Sequence, residues 1–459
     1  MFDKVIKYAE LNKMFHKCRG IVAGLSGGAD SVCLLHILKR LQAIYGFELV
    51  AVHVHHGIRG VEADNDAAYC QKICEKWEIP LEIYYYDIPK IAEEEHLTEE
   101  EAGRIIRYKC FEESAEEGYR IAVAHHMNDQ AETVLFNICR GSGVKGTGGI
   151  QPVRNRIIRP LLNCSRTEIE NYLSEKGIAY CEDSTNNNTD YSRNVLRNLV
   201  IPMLVEKINS KAVENISLMA ERIRESEIYL EKLTEQRYMA CVSYRNGMIL
   251  LKRLENEDEY MIKRLIRKAV AEMNSSLKDV GAVHLERVLQ LTGSQCGSRC
   301  NIRNGLWAER TREGILFYKE SSILKKTPVD INPPCEIIPW NNSGKFTFKV
   351  IEWNSDKKIS NELYTKCFDY DRIKFGLQLR TWQSGDIITI DDSGHHKTIK
   401  QYFVDTGVSR VDKDNTILLA DGNCIMWVVG GRIGADYKIS NSTRMVLEVN
   451  YGGELNGES

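Results

Sequence analysis

The chain has 459 residues, of which 43% are hydrophobic and 27% charged, with a formal net charge of -3 at pH 7. These values exclude a disordered or fibrous chain, and the length predicts two or three domains. They also exclude a uniformly basic surface for nucleic acid, although local basic patches remain compatible with them. The sequence contains no signal-peptide pattern and no apolar run of membrane-spanning length, which predicts a cytoplasmic protein without a membrane partner.

The 14 cysteines are scattered singly along the chain, which favours reduced thiols. The closest pairs, Cys70/Cys74 and Cys296/Cys300, have CxxxC spacing, whereas zinc ribbons and redox pairs have CxxC spacing. The sequence therefore predicts no metal site formed by a protein motif.

Up to about residue 140, short β-rich runs alternate with longer amphipathic helical segments. Strands are predicted at 21–25, 49–54, 81–87 and 121–125, and a helical pattern follows each of them. This alternation predicts an α/β fold, with an N-terminal, mostly parallel sheet flanked by helices. Ligands of such folds bind at the carboxyl ends of the strands.

The rest of the chain changes character twice. Residues 211–293 have helical periodicity with charged outer faces, and four of the nine prolines then cluster after residue 327. Beyond them, apolar and polar residues alternate around glycine and aspartate turns, which predicts a small β-rich C-terminal domain. We therefore predict a catalytic domain at 1–210, a mainly helical domain at 211–330, and a linker with the β-rich domain at 331–459.

Residues 24–31, GLSGGADS, connect the first predicted strand to the first helix of this series. Gly27 and Gly28 let the backbone approach a ligand, and the amides that follow point outwards from the start of the helix, which suits a phosphate chain. The lysine of a Walker loop is absent, and Asp30 stands where it could hold Mg²⁺ bridging to a nucleotide. The alternative is an ordinary glycine turn capped by serine.

Two pairs of charged residues have helical spacing. Arg104 and Arg107 lie three residues apart on one face of a predicted helix, where they could grip phosphate or RNA, or form a solvated surface pair. Asp129 and Glu132 lie three apart at the start of another helix. Both carboxylates can therefore face one site, or they can serve as ordinary helix N-terminal acids.

Three histidines, His53, His55 and His56, lie at the end of the second predicted strand and just after it. Metal ligation is an alternative for them, but neighbouring strand residues face opposite sides of a sheet. Further on, GSGVKG at 141–146 matches GxGxxG without the preceding strand of a dinucleotide fold, so we predict a loop carrying the cation Lys145.

Arginines are locally dense in the last part of the predicted catalytic domain, which would suit an RNA backbone. A solvated charge run is the alternative for each. The residues concerned are Arg154, Arg156, Arg159, Arg166, Arg193 and Arg197.

The motif SGGADS resembles the pyrophosphatase loop of the N-type ATP pyrophosphatases, which cleave ATP between its α and β phosphates. Further segments resemble, in order along the chain, the tRNA(Ile)-lysidine synthetase family. The resemblance is dense over about 20–205 and resumes near 377–440. The segments are HVHHGIRG, EAGRIIRY, HHMNDQAET with RGSGVKGTGG, RIIRPLL, EDSTNNNTDYSRNVLRNLVIP, LRTWQSGD and WVVGGRI.

The resemblance implies a two-step reaction. ATP adenylates O2 of the wobble cytosine in the isoleucine tRNA with a CAU anticodon, and L-lysine then displaces AMP to give lysidine. The modified base pairs with A, so the tRNA becomes an isoleucine acceptor. ATP and Mg²⁺ are thus the implied cofactors, this tRNA and L-lysine are the implied partners, and a homodimer is the implied assembly.

The resemblance also implies roles for individual residues. In the lysine step, Asp129 is expected near ATP or Mg²⁺ and Glu132 near the lysine, with the general base left open. The implied catalytic residues are Asp30, Arg107, His125, Asp129 and Glu132. The implied ATP-binding residues are Ser26, Gly27, Gly28, Ala29, Asp30, Ser31, His53 and His55. The implied tRNA-binding residues are Arg104, Lys145, Arg154, Arg159, Arg193, Arg197 and Arg380.

The terminal domain departs from the family pattern at two positions. Ile387 replaces the arginine of the usual GDR, and Lys413 stands where arginine is expected. These departures leave the tRNA contacts of that domain open, and they do not affect the catalytic half.

Three other functions remain as alternatives. A tRNA thiolase of the same superfamily would share SGGxDS, but it normally needs a sulfur-carrying cysteine or a cluster marked by CxxC. A non-catalytic nucleotide-binding regulator would explain the loop, yet would leave Asp129 and Glu132 without a use. A small-molecule amidotransferase ligase would normally add a glutaminase domain, for which the sequence gives no sign.

Overall fold

The computed structural model describes residues 1–57, 61–181, 192–245, 247–274, 280–320, 327–339, 344–353, 365–408 and 410–452. The chain divides into two compact units, Met1–Leu230 and Glu231–Ser459. The division falls within a long helix, whereas the sequence places the first boundary near residue 210, so our domain limits remain predictions. The motif segment at 182–191 lies outside the described residues.

The first unit contains a six-stranded sheet in the order β3-β2-β1-β4-β6-β5. The pairs along β3-β2-β1-β4-β6 are parallel, and β5 joins β6 as an antiparallel edge. This confirms the predicted, mostly parallel N-terminal sheet. The strands are β1 (Gly20–Gly24), β2 (Glu48–His55), β3 (Leu81–Tyr85), β4 (Tyr119–Ala122), β5 (Val153–Arg154) and β6 (Ile157–Ile158).

Helices flank this sheet on both faces, and a π-helical turn, Leu196–Val200, precedes the last but one of them. The last helix continues into the second unit. The helices are α1 (Phe2–Leu11), α2 (Ala29–Tyr45), α3 (Val61–Lys76), α4 (Ile88–Glu94), α5 (Glu99–Glu113), α6 (Met127–Cys139), α7 (Val144–Thr147), α8 (Arg166–Glu175), α9 (Ser192–Val195), α10 (Ile201–Lys207) and α11 (Ala212–Cys241).

Alternation along β1 explains the two-sided packing. Ile21 and Ala23 belong to a core shared with α1, α2 and α8, whereas Val22 belongs to a second core with α4 and α5. All three side chains are fully buried, as expected for a central parallel strand covered by helices on both faces. Because β1 lies between β2 and β4, the segments that follow these three strands meet at one edge.

The first half of the second unit combines the predicted helices α12 (Glu259–Asn274) and α13 (Ala282–Gln290) with a sheet that the sequence did not predict. This antiparallel sheet has the order β7-β8-β11-β10-β9. The helices pack on it through an apolar core that includes Leu265, Ile266 and Phe317. The strands are β7 (Val242–Arg245), β8 (Met248–Lys252), β9 (Arg299–Arg303), β10 (Leu306–Arg310) and β11 (Gly314–Lys319).

The second half contains two sheets, which confirms the β-rich C-terminal region. Their orders are β12-β16-β19-β20-β17-β18 and β13-β14-β21-β15, so the proline-rich segment contributes β12 and β13. None of the helices in the described ranges is long and apolar enough to cross a membrane. The elements are β12 (Val329–Ile331), β13 (Cys335–Ile337), β14 (Lys345–Glu352), β15 (Thr365–Asp369), β16 (Leu377–Arg380), β17 (Ile387–Thr389), β18 (His396–Thr398), α14 (Ile399–Thr406), α15 (Arg410–Asn415), β19 (Leu418–Asp421), β20 (Cys424–Val428) and β21 (Met445–Gly452).

Candidate active site

A cavity of about 830 Å³ opens at the carboxyl edge of β1, β2 and β4. Its size is that of pockets which hold drug-sized ligands or nucleotides. Many of its lining side chains are ionisable, as expected of a site that handles charged groups. Those used below are Asp30, His53, His55, Arg104, Arg107, His125, His126, Glu132, Arg166 and Arg197.

The loop after β1 has the geometry expected of a phosphate cradle. Gly27 has a φ of +89°, a left-handed conformation that favours glycine. Gly28 is the N-cap of α2, so the first amides of the helix point towards the cavity. The Ser31 hydroxyl closes the turn, because it accepts from the Ser26 amide at 3.1 Å and donates to the Gly28 carbonyl at 2.9 Å.

A second segment supports this loop from behind. The Cys181 amide donates to the Gly27 carbonyl at 3.0 Å. A Cβ at Gly27 would lie 3.5 Å from the Cys181 Sγ and 3.6 Å from the Cys70 Sγ, which are ordinary contacts. The backbone conformation of Gly27, and not crowding, is therefore the reason for glycine at this position.

Asp30 lies in the first turn of α2 and has two unlike carboxylate oxygens. Oδ2 accepts from the Arg166 guanidinium at 2.5 Å. Oδ1 is buried and has no hydrogen-bond partner among the described residues. Burial raises the pKa of Asp30, against the opposing effect of the nearby His126 and Arg166.

The environment of Asp30 fits a magnesium ion that arrives with a nucleotide. A buried carboxylate oxygen without a partner is a hard ligand, and phosphate oxygens would supply others. Within the described ranges, no three His, Cys, Asp or Glu side chains are grouped so as to hold a metal by themselves.

Asp129 and Glu132 face the same arginine. The Arg197 Nε donates to Glu132 at 2.6 Å, and the Arg197 NH2 reaches Asp129 at 3.0 Å. Glu132 is only 4% exposed, and burial raises its pKa although Arg197 lowers it. The two carboxylates therefore face one site, as their spacing predicts. The guanidinium of Arg197 occupies that site in this structure.

His126, which the sequence analysis did not single out, caps α6. Its Nδ1 accepts from the Asn128 amide at 3.2 Å, while its own amide donates to the Asp129 Oδ2 at 2.9 Å. Its Nε2 lies 3.6 Å from both the Asp30 Oδ2 and the Asp129 Oδ2. The residue is 5% exposed. Its two distances place the ring between Asp30 of the phosphate loop and Asp129 of the carboxylate pair.

The neighbouring His125 is held in a different way. Its Nδ1 accepts from the Arg159 Nε at 3.3 Å, so the proton of the neutral ring is on Nε2. Burial lowers the pKa of His125 to about 4, although Asp129 acts in the opposite direction. His125 is therefore a neutral group near pH 7. Arg159 is 5% exposed and also donates to the Gln151 carbonyl, which gives it a structural contact within the protein.

His53 and His55, at the carboxyl end of β2, also line the cavity. The His53 Nδ1 donates to the Leu25 carbonyl at 2.9 Å, which leaves Nε2 as an acceptor. Burial lowers the pKa of His53, so its ring is neutral near pH 7. His55 lies 3.2 Å from the Asp64 carboxylate, beside the ring of Tyr85.

Arg104 and Arg107 both line the cavity, as expected from their spacing on α5. The Arg104 guanidinium lies 5.4 Å from the centre of the Tyr108 ring, and both arginines are exposed. Their charge is therefore available to an anionic ligand that enters the cavity.

The structure places the other predicted tRNA residues away from the cavity lining. Lys145 is exposed on α7, Arg154 is exposed on β5, and Arg193 lies 3.7 Å from Glu100. These positions are compatible with RNA contacts at the surface, and the roles remain predictions.

Arg380 differs from them, because it is 1% exposed. Its guanidinium makes two 2.8 Å hydrogen bonds to the Asp386 carboxylate and another to the Gly422 carbonyl. These bonds use the donors that an RNA phosphate would need. In this structure Arg380 therefore acts within the C-terminal sheet and presents no open face to tRNA.

Sequence reasoning missed the roles of two residues. Its position in the sequence groups Arg166 with the RNA-directed arginines, whereas in the structure it pairs with Asp30 and with Glu170. The resemblance points to His125, whereas the spacing of His126 to Asp129 is that of a capping box. That spacing was a usable signal, whereas the partner of Arg166 lies 136 residues away and gives no local signal.

A phosphate cradle at the start of a helix, a half-buried carboxylate beside it and a mostly parallel sheet define a protein of the PP-loop class. Residues 3–204 match a family model described as the PP-loop domain, and residues 377–449 match one described as the TilS substrate C-terminal domain. The first match covers every cavity-lining residue named above.

The chain belongs to the tRNA(Ile)-lysidine synthase family. It is 33% identical to the tRNA(Ile)-lysidine synthase of Caldanaerobacter subterraneus subsp. tengcongensis over 98% of this chain and 97% of that protein. It is 34% identical to that of Parabacteroides distasonis over 99% and 100%. A solved U34-tRNA thiolase from Methanococcus maripaludis is 23% identical, covers 48% of this chain and 80% of its own, and has a TM-score of 0.39.

Proposed function

We propose that this protein ligates lysine to C2 of the wobble cytidine in the isoleucine tRNA with a CAU anticodon. The observation that carries the proposal is one cavity lined by the phosphate loop and by the buried carboxylate of Glu132, which Arg197 links to the Asp129 carboxylate. Family membership over almost the whole chain supports the same reaction. The product would read the isoleucine codon and accept isoleucine in place of methionine.

In the first step, cytidine O2 attacks the α-phosphorus of ATP, the bond from this phosphorus to the bridging oxygen breaks, and pyrophosphate leaves. The amides at the start of α2 and the side chains of Ser26 and Ser31 would hold the departing phosphates. Arg104 and Arg107, which also line the cavity, would neutralise charge on the phosphates. Mg²⁺ at Asp30 would stabilise the charge that develops on the phosphate oxygens.

In the second step, the ε-amine of lysine attacks C2, and the bond from C2 to the adenylated oxygen breaks to release AMP. The amine must lose a proton, and we propose that Asp129 and Glu132 receive its ammonium form. Because Arg197 contacts both carboxylates, lysine has to displace this guanidinium or share the site with it. His125 would serve as a neutral donor from Nε2, since Arg159 occupies its Nδ1.

The proposal includes L-lysine as the amine donor, Mg²⁺ with ATP, a cytoplasmic location where tRNA and ATP occur together, and a homodimer. The family resemblance supports L-lysine, Mg²⁺ and the homodimer. Sedimentation would measure the oligomeric state. Arg154, Lys145 and Arg193 are proposed as surface contacts to the tRNA.

The test uses purified protein with ATP, Mg²⁺, radiolabelled lysine and unmodified isoleucine tRNA, with methionine tRNA of the same anticodon as the control. We expect label only in the isoleucine tRNA and one AMP for each lysine incorporated. Glu132→Gln should stop incorporation, and the exposed Glu113→Gln on α5 is the matched control. AMP formation without lysine incorporation would overturn the proposal in favour of another nucleophile, with sulfur examined first.

A further inference from the structure

His126 is the histidine whose two ring nitrogens contact two different parts of the site. The Nδ1 accepts from the Asn128 amide at 3.2 Å, so this nitrogen must offer a lone pair. A proton on Nδ1 would point at the amide hydrogen and repel it. The single proton of the neutral ring is therefore on Nε2.

The Nε2 proton faces two carboxylates from different elements. Asp30 comes from the start of α2 and Asp129 from the first turn of α6, and an oxygen of each lies 3.6 Å from Nε2. This distance exceeds the roughly 2.7–3.2 Å of a formed hydrogen bond, so the N–H is attracted to both carboxylates and committed to neither. Each carboxylate also has its own guanidinium, from Arg166 and Arg197 respectively.

We propose that His126 is a positioning residue that holds Asp30 and Asp129 in one arrangement through the electrostatic attraction of its Nε2 N–H for both carboxylates, while its Nδ1 fixes the start of α6. The arrangement couples the nucleotide side of the cavity to the amine side. If Asp30 held a metal ion, the Nε2 N–H would be left to Asp129 and would keep that carboxylate in place for the second step. For its kinetic consequences the inference rests on the proposed function.

Two substitutions of His126 test the contacts of its two ring nitrogens separately. In His126→Asn the amide oxygen replaces Nδ1 as the helix cap, and no atom occupies the Nε2 position. In His126→Gln the longer amide carries an N–H to the Nε2 position, and no acceptor remains for the Asn128 amide. The exposed His16→Asn is the matched control away from the site.

We expect His126→Asn to melt at the wild-type temperature but to lose about tenfold or more in kcat for tRNA-dependent AMP formation, with KM for ATP within about twofold. His126→Gln should melt a few degrees lower because it lacks the cap, yet keep kcat within about threefold of the wild type. Wild-type kcat in His126→Asn, or a loss in His126→Gln as large as in His126→Asn, would overturn the proposal.

A second measurement does not need the reaction. In protein with ¹⁵N-labelled histidine rings, the signal lost in His126→Gln identifies His126, and its nitrogen shifts report which nitrogen carries the proton. We expect the proton on Nε2, with this signal shifted in both Asp30→Asn and Asp129→Asn. A proton on Nδ1, or a signal unaffected by both substitutions, would overturn the proposal. If the wild type incorporates no lysine, the proposed function fails, whereas these spectra still decide the role of His126.

Discussion

The Arg197 Nε donates to Glu132 over 2.6 Å, and the carboxylate that it holds is only 4% exposed. Arg197 lies in the π-helical turn Leu196–Val200, and such turns are frequent at functional sites. Glu132 lies on α6, so this pair fixes the π-helical turn to the helix that carries both carboxylates. The consequence is that Glu132 loses its counter-charge if Arg197 is removed.

We therefore expect Arg197→Ala to lower the free energy of unfolding by about 1–2 kcal/mol at pH 7, since Arg197 is 40% exposed and water would replace part of its contact. Its removal raises the pKa of Glu132 further, so the loss should shrink as the pH falls and the carboxyl becomes protonated. Urea unfolding at several pH values measures this. The exposed Arg193→Ala is the control, and a loss that grows on acidification would contradict the assignment.

Gly27→Ala should abolish nucleotide binding because the phosphate loop can no longer approach the phosphates. Gly46→Ala is the control for the backbone strain that both substitutions cause. Gly27 and Gly46 both have left-handed backbones, with φ of +89° and +73°, and they stand at opposite ends of α2. Alanine at either position should cost about 1 kcal/mol from backbone strain. Only Gly27→Ala should lose binding of a fluorescent ATP analogue. Equal binding by the two variants would show that the loop does not approach the phosphates.

His125→Gln should change how stability depends on pH. The pKa of His125 falls from 6.5 to about 4 on folding, because the ring is buried. Between these two values the unfolded chain binds a proton that the folded protein does not, so wild-type stability decreases as the pH falls through this window. His125→Gln should lose less stability across the window. Unfolding curves at about pH 7, 5.5 and 4.5 test this, with the exposed His16→Gln as the control.

Arg380→Ala should act on folding more than on RNA binding. It would leave the Asp386 carboxylate buried without its guanidinium, which typically costs about 3–5 kcal/mol. The exposed Arg154→Ala should instead change stability by less than about 0.5 kcal/mol. It should also reduce the salt dependence of tRNA affinity by about one unit of slope. A fully stable Arg380→Ala that only binds tRNA more weakly would contradict the structural role.

The N-terminal fold and the position of its site could be predicted from the sequence, because both depend on local patterns. Strands β1 to β4 were predicted to within a few residues, since each is a short apolar run bounded by turn residues and followed by a helical pattern. The sheet of the second unit was missed. A local signal was present, because Asn304 and Gly305, both with positive φ, connect β9 to β10 as a two-residue hairpin turn. The pairing of β8 with β11 across more than 60 residues has no such local signal.

The same division holds within the site. The sequence by itself determined the phosphate loop and the facing pair Asp129 and Glu132, because helix geometry sets which side chains three residues apart share a face. Only the tertiary structure decided that Arg166 pairs with Asp30, that Arg197 occupies the carboxylate pair, and that Arg380 is buried. Partners far apart along the chain are chosen by packing, because the burial of a charge is stabilised only when an opposite charge arrives at the same place.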